Sequence, residues 1–138
     1  MKLPAPEVGM VIRYAYLWAD EAAGGRDEAS KDRPTLVLAV AVAAGEIMVL
    51  AITHSPPTKP TDAVPFPANL KAALGLDDPG WIVTTEANAF SWPGPDIRPV
   101  PNRKPASPIY GKVPASLLRE VAISYLANRK RQQRTVKR

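Results

Sequence analysis

A mainly-β fold, β plus α, is predicted: a small, strongly bent sheet or barrel closed by a helix near the C-terminal end. Three observations predict it. The segments Arg33-Pro34-Thr35-Leu36-Val37-Leu38 and Ile47-Met48-Val49-Leu50-Ala51-Ile52-Thr53-His54 flank the turn Ala43-Ala44-Gly45-Glu46. Both are nearly all apolar, so they read as a hairpin of buried strands covered on both faces. The chain has 16 prolines, about twice the average share, which favours short strands with stiff connections. The sustained helical period comes late, where Leu117, Leu118, Val121, Ala122, Tyr125 and Leu126 form an apolar stripe.

The elements follow in order. Gly9 to Trp18, rich in Val, Ile, Tyr and Trp, reads as a strand. Ala19 to Lys31 carries paired glycines and many charges and predicts a mobile surface loop, long enough to suggest a function. After the hairpin, Pro56 to Asp62 is a rigid exposed connection, Ala63 to Phe66 a short strand, and Ala68 to Leu74 a short helix stopped by Gly75. Asp78-Pro79-Gly80 turns the chain into a strand over Trp81 to Glu86. Ser91 to Pro108 is proline-locked and irregular, with a short strand around Ile97, and the final helix opens near Pro114 and ends about Arg129. Residues 1–128 read as one domain and 129–138 as a basic tail.

The net charge is +5, and six of the basic residues lie in the stretch Arg129 to Arg138, so removing them leaves −1. The basic balance therefore belongs to the tail. Such a tail either holds phosphates electrostatically or is a solvated, frayed helix end favoured by the helix dipole, and the second reading carries more weight. Cysteine is absent, which excludes disulfides and thiolate metal sites. The N-terminal residues carry no apolar signal region, and no apolar run approaches the roughly 20 residues of a membrane span. A soluble, cytoplasmic protein is expected. With one His and scattered carboxylates, no metal-ligand spacing is readable, and Gly24-Gly25 lacks the glycine, lysine and helix context of a phosphate loop. No metal or cofactor is expected.

The mouth of the hairpin remains. Lys31, Asp32 and Arg33 enter one strand while Thr53, His54 and Ser55 leave the other, with Arg33 and Thr53 offset by about three residues, on the order of 10 Å. A guanidinium forks two donors onto phosphate oxygens, and a hydroxyl adds a third. His54 is of the residue type that exchanges protons near neutrality. Arg26 and Lys31 on the long loop and Lys59 on the proline-rich one supply cations, while Trp18 and Trp92 offer stacking surfaces for bases. Each has an ordinary structural reading beside this: Arg33 sits on the surface or pairs with a carboxylate such as Asp32, Thr53 ends a strand, His54 sits in a loop, and both tryptophans pack the core. The acids Asp20, Glu21, Asp27 and Glu28 would repel a phosphate backbone.

Gly9-Met10-Val11-Ile12, Arg33-Pro34-Thr35-Leu36-Val37-Leu38 and Leu50-Ala51-Ile52-Thr53 resemble, in order and spacing, the PemK/MazF family of toxin endoribonucleases. Looser matches are Leu74-Gly75-Leu76 and Tyr110-Gly111-Lys112-Val113, so the resemblance runs from about residue 8 to about 126. It implies a small SH3-like barrel with a C-terminal helix packed on it, a homodimer, and an antitoxin partner that blocks the mouth. It also implies metal-independent cleavage of single-stranded RNA, mRNA in a cell, by 2′-hydroxyl attack, with Arg33 and Thr53 as the active-site pair. The long acidic insert and the proline-rich second half depart from the family. The alternative is a catalytically weak SH3-like module that binds RNA or a protein segment. A membrane-surface role has little support, because the tail lacks an apolar face.

Overall fold

The computed structural model describes every residue except Lys2, Ser30, Asp78, Pro79, Gln132 and Gln133, and the side chain of Val42. The first two residues of the turn expected at 78–80 therefore lie outside the described residues. Among the described residues eight strands form one sheet: β1 (Met10–Tyr14), β2 (Arg33–Ala41), β3 (Glu46–Thr53), β4 (Ala63–Pro65), β5 (Trp81–Val83), β6 (Glu86–Ser91), β7 (Ile109–Lys112) and β8 (Arg134–Lys137). The α-helices among the described residues are α1 (Ala19–Ala23), α2 (Ala68–Leu74) and α3 (Ala115–Arg129). The strand path is β4-β5-β3-β2-β1-β7, with β6 branching from β3 and β8 from β6. Among the described residues no pairing joins β4 to β7, so the sheet is not a closed barrel.

The predicted hairpin is the centre of the sheet, with Thr35 opposite Ala51 and Ala41 opposite Glu46. Alternate residues of β1, β2 and β3 feed two cores. Val11, Leu36, Leu50 and Ile52 pack with Leu74, Leu117, Val121 and Tyr125 beneath α2 and α3. Ile12, Val37, Val49 and Ala51 pack with Tyr14, Tyr16, Phe90 and Ile97 on the other face. Burial on both faces is the physical reason why these strands read as continuous apolar runs. A short helix over Ala68–Leu74, capped by Gly75 at φ 68°, also forms as its residues predict.

Elsewhere the chain departs from expectation. The segment after Trp18 opens with helix α1, because the Trp18 N–H donates to Glu21 Oε1 (3.1 Å) and the two acids favour a helix start. The strand expected from Trp81 to Glu86 breaks at Thr84 and Thr85. Thr84 is fully buried, and its N–H (2.9 Å) and hydroxyl (3.2 Å) both donate to the Asp62 carbonyl while Asn128 of α3 donates to its hydroxyl (3.0 Å). Asn128 is thus buried where Leu126, expected in the stripe, is 54% exposed.

The basic tail is not a frayed helix end. Arg134 to Lys137 pair parallel with Glu86 to Ala89, and the Arg138 guanidinium closes over the sheet. It pairs with Asp96 (3.1 Å), donates to the Ala15 carbonyl (2.7 Å) and lies over the Tyr14 ring. Backbone pairing and a buried cation outweigh the solvation that a charge run suggests.

Candidate functional site

Continuing the β2–β3 register by two residues from Thr35 and Ala51 sets Arg33 opposite Thr53. Strand alternation then puts both side chains on one face. The expected three-residue offset vanishes because a bulge between Val37 and Ala39 and the short 3-10 turn Val42–Ala44 take up the extra residues. Gly80, at φ 67°, lies so close that an added Cβ would come within 2.7 Å of the Thr53 carbonyl oxygen and 2.9 Å of His54 Cα. Only glycine fits this approach, which fixes the rim carrying Thr53 and His54.

Arg33 is 9% exposed. Its guanidinium lies 4.8 Å over the Trp18 ring, which meets Tyr16 edge-on at 5.1 Å. Asp32 is not its partner, since that carboxylate pairs with Arg98 (3.6 Å). Among the described residues Arg33 makes no ion pair, and its buried Nε finds no acceptor. Burial pulls the guanidinium below the ordinary arginine value, with Glu21 and Tyr16 pulling it back. A cation held by an aromatic ring, with donors left over, has the chemistry to receive an anion.

A groove of about 440 Å³ opens beside it, lined by Trp18, Lys31, Arg33, Thr53, His54 and Glu86 among others. The Thr53 hydroxyl oxygen accepts the Ser55 N–H (3.2 Å), which leaves its own proton for a ligand. His54 and Lys31 stand exposed at the rim. Five of the residues picked out above thus share one groove. Arg26, Lys59 and Trp92 do not line it. Arg26 pairs with Glu21 (2.9 Å), Lys59 precedes the short turn Pro60–Asp62, and Trp92 packs half-buried against the second core. Trp18 does both things at once, packing on that core and facing the groove.

Glu86 is the group that a reading of the residues overlooks, because a single acid at a strand end carries no pattern. Its Oε2 accepts the Ala19 N–H (2.8 Å) and the Tyr16 hydroxyl (3.2 Å). Burial raises its carboxyl above the usual value, while those two donors and Arg134 pull it down. Burial and the facing Glu86 push the Tyr16 phenol well up, so it stays a donor. The loop acids are partly spent: Asp20 pairs with Arg134 (2.6 Å) and Glu21 with Arg26, while Asp27 and Glu28 are exposed. Among the described residues no three His, Cys, Asp or Glu side chains gather as metal ligands, and no helix is long and apolar enough to cross a membrane.

No protein-family model matches the chain, and no curated protein matches it. Solved structures do. MazE–MazF from Deinococcus radiodurans, in two crystal forms, superposes with a TM-score of 0.55 at 19% identity, covering 90% of this chain and 94% or 95% of that one. An endoribonuclease in complex with its cognate antitoxin from a mycobacterial species gives 0.51 at 15% identity, covering 91% and 96%. The chain therefore has a MazF/PemK-type, mainly-β fold.

Proposed function

We propose that this protein is a toxin-type endoribonuclease of the PemK/MazF kind, cutting single-stranded RNA without a metal. The observation that carries the reading is Arg33: a buried guanidinium with no carboxylate partner among the described residues, opposite a threonine whose hydroxyl proton is uncommitted. In this reading the 2′-hydroxyl oxygen attacks phosphorus. The O2′–P bond forms as the P–O5′ bond breaks, leaving a 2′,3′-cyclic phosphate and a 5′-hydroxyl. Arg33 stabilises the charge gathering on the phosphorane oxygens, and Thr53 donates to one of them. Glu86 takes the 2′ proton, its raised basicity suiting the task, and His54 returns one to the departing 5′ oxygen. Trp18 and Lys31 hold the strand.

The fold it shares with chains solved beside MazE or a cognate antitoxin supports a toxin–antitoxin role. An acidic segment of that antitoxin would lie across the cations of the groove. The enzyme would act on mRNA in the cytoplasm as a homodimer. A second reading, a catalytically weak module binding RNA or a protein segment, is favoured by the carboxylates Asp62 and Glu86 in the groove, which oppose a phosphate chain. Expression in a bacterial host separates the two. Growth arrest relieved by Arg33→Ala supports the enzyme, and normal growth with abundant folded protein supports the module.

A further inference from the structure

A second groove of about 380 Å³ lies at the same end of the sheet. It shares Lys31, Arg33 and His54 with the first groove, and no other residue. The strand alternation that turns Arg33 and Thr53 to one face turns Arg13 and Ile52 to the other. The two grooves therefore open on opposite faces and meet over the sheet's end, at three basic side chains.

The walls of the second groove combine apolar surface with polar edges. Leu76, Val100 and Pro101 supply apolar surface, and Tyr110 a ring fixed by the Arg13 Nη1 donation to its hydroxyl (3.0 Å). Beyond the shared cations the lining carries two exposed polar side chains with no side-chain bond to another described residue: Asp77, which accepts only, and Asn102, which does both. Asn102 sits at φ 60°, a conformation asparagine tolerates and glycine prefers. The volume lies within the range of small-ligand clefts.

We infer that the RNA strand crosses the end of the sheet, so that the nucleotide next to the one in the Trp18 groove enters the Arg13–Tyr110 groove, where Asp77 and Asn102 read its base. This rests on the ribonuclease reading for the identity of the ligand. Asp77 accepts a hydrogen bond from an exocyclic amine, as acids do from cytosine N4, and repels the O4 of uracil. The pocket thus takes cytosine or adenine over uracil.

Binding of 2′-O-methyl pentanucleotides of A, C and U, which cannot be cut, is followed by fluorescence anisotropy on the full chain. The wild type binds the C and A strands about five-fold more tightly than the U strand. Asp77→Asn, whose amide donates to O4, brings the three together, and Asn102→Gly narrows the spread while leaving the backbone in place. Trp18→Ala weakens all three alike and keeps the preference. No preference in the wild type, or a preference untouched by Asp77→Asn and Asn102→Gly, overturns the inference. Digestion of a long RNA by the same preparation is read separately. Binding preference without cuts sinks the ribonuclease and leaves the pocket, and cuts without preference sink the pocket alone.

Discussion

Replacing Arg33 by Met separates what this residue does for the fold from what it does for a phosphate. The side chain is 9% exposed, and its Nε lacks an acceptor among the described residues. An unsatisfied buried donor costs about 1–3 kcal/mol, more when charged. The stacking on Trp18 at 4.8 Å returns about 1–2 kcal/mol in a desolvated setting. Methionine keeps an unbranched chain against the indole, with a favourable sulfur–aromatic contact, and removes the charge. The balance favours the variant by about 1 kcal/mol, or about 3 °C in Tm for a domain of this size. Cleavage falls about a hundred- to a thousand-fold, the usual cost of deleting one donor to a developing oxyanion. Thermal melts and initial rates on a fluorescent RNA measure both. A variant that melts far below the wild type, or that keeps its rate within about three-fold, refutes the assignment of Arg33 as an uncompensated anion receptor.

Gly80→Ala must bring a Cβ within 2.7 Å of the Thr53 carbonyl at positive φ, so urea denaturation should show a loss of about 2 kcal/mol or more, with cleavage reduced alongside. Glu86 has a raised folded-state pKa, so its stabilising contribution is full below the ordinary carboxylate value and is lost as pH rises through the raised one. Glu86→Gln carries no such loss and gains in Tm on the wild type as pH rises above the ordinary carboxylate value, while its cleavage rate collapses. A Tm difference independent of pH would contradict that assignment. Asn88 is fully buried and bonds both backbone groups of Leu17, accepting the N–H (2.9 Å) and donating to the carbonyl (2.7 Å). Asn88→Leu leaves both groups unpaired and should cost about 2–4 kcal/mol in urea, loosening the segment that carries Trp18.

The central hairpin, α2 and the start of α3 are legible because each is fixed by local means: unbroken apolar runs, a Gly75 cap, a proline at the helix entrance. What escapes a linear reading is set by distant partners. Thr84 leaves the strand because Asp62 and Asn128 claim its polar groups. Asn128 displaces Leu126 from the buried stripe because its amide also reaches the Thr61 carbonyl (2.9 Å). The tail folds back because Arg138 finds Asp96 and Ala15, more than a hundred residues away for the latter. At the site the same division holds. Arg33 and Thr53 follow from hairpin geometry, and the bulge that brings them level is invisible in the run of Val and Leu. Glu86 meets Arg33's groove only through the β3–β6 pairing, and its burial comes from Tyr16 and Ala19. Arg26, Lys59 and Trp92 are cations and a ring of the right kind whose places are set by Glu21, a turn and a core.

The most direct measurement is incubation of purified wild type and Arg33→Met with a long single-stranded RNA in EDTA, with the new ends mapped. The account predicts discrete cuts that leave 2′,3′-cyclic phosphates and 5′-hydroxyls, made by the wild type and lost in the variant. Intact RNA beside a well-folded wild type, or equal cutting by the variant, would contradict it.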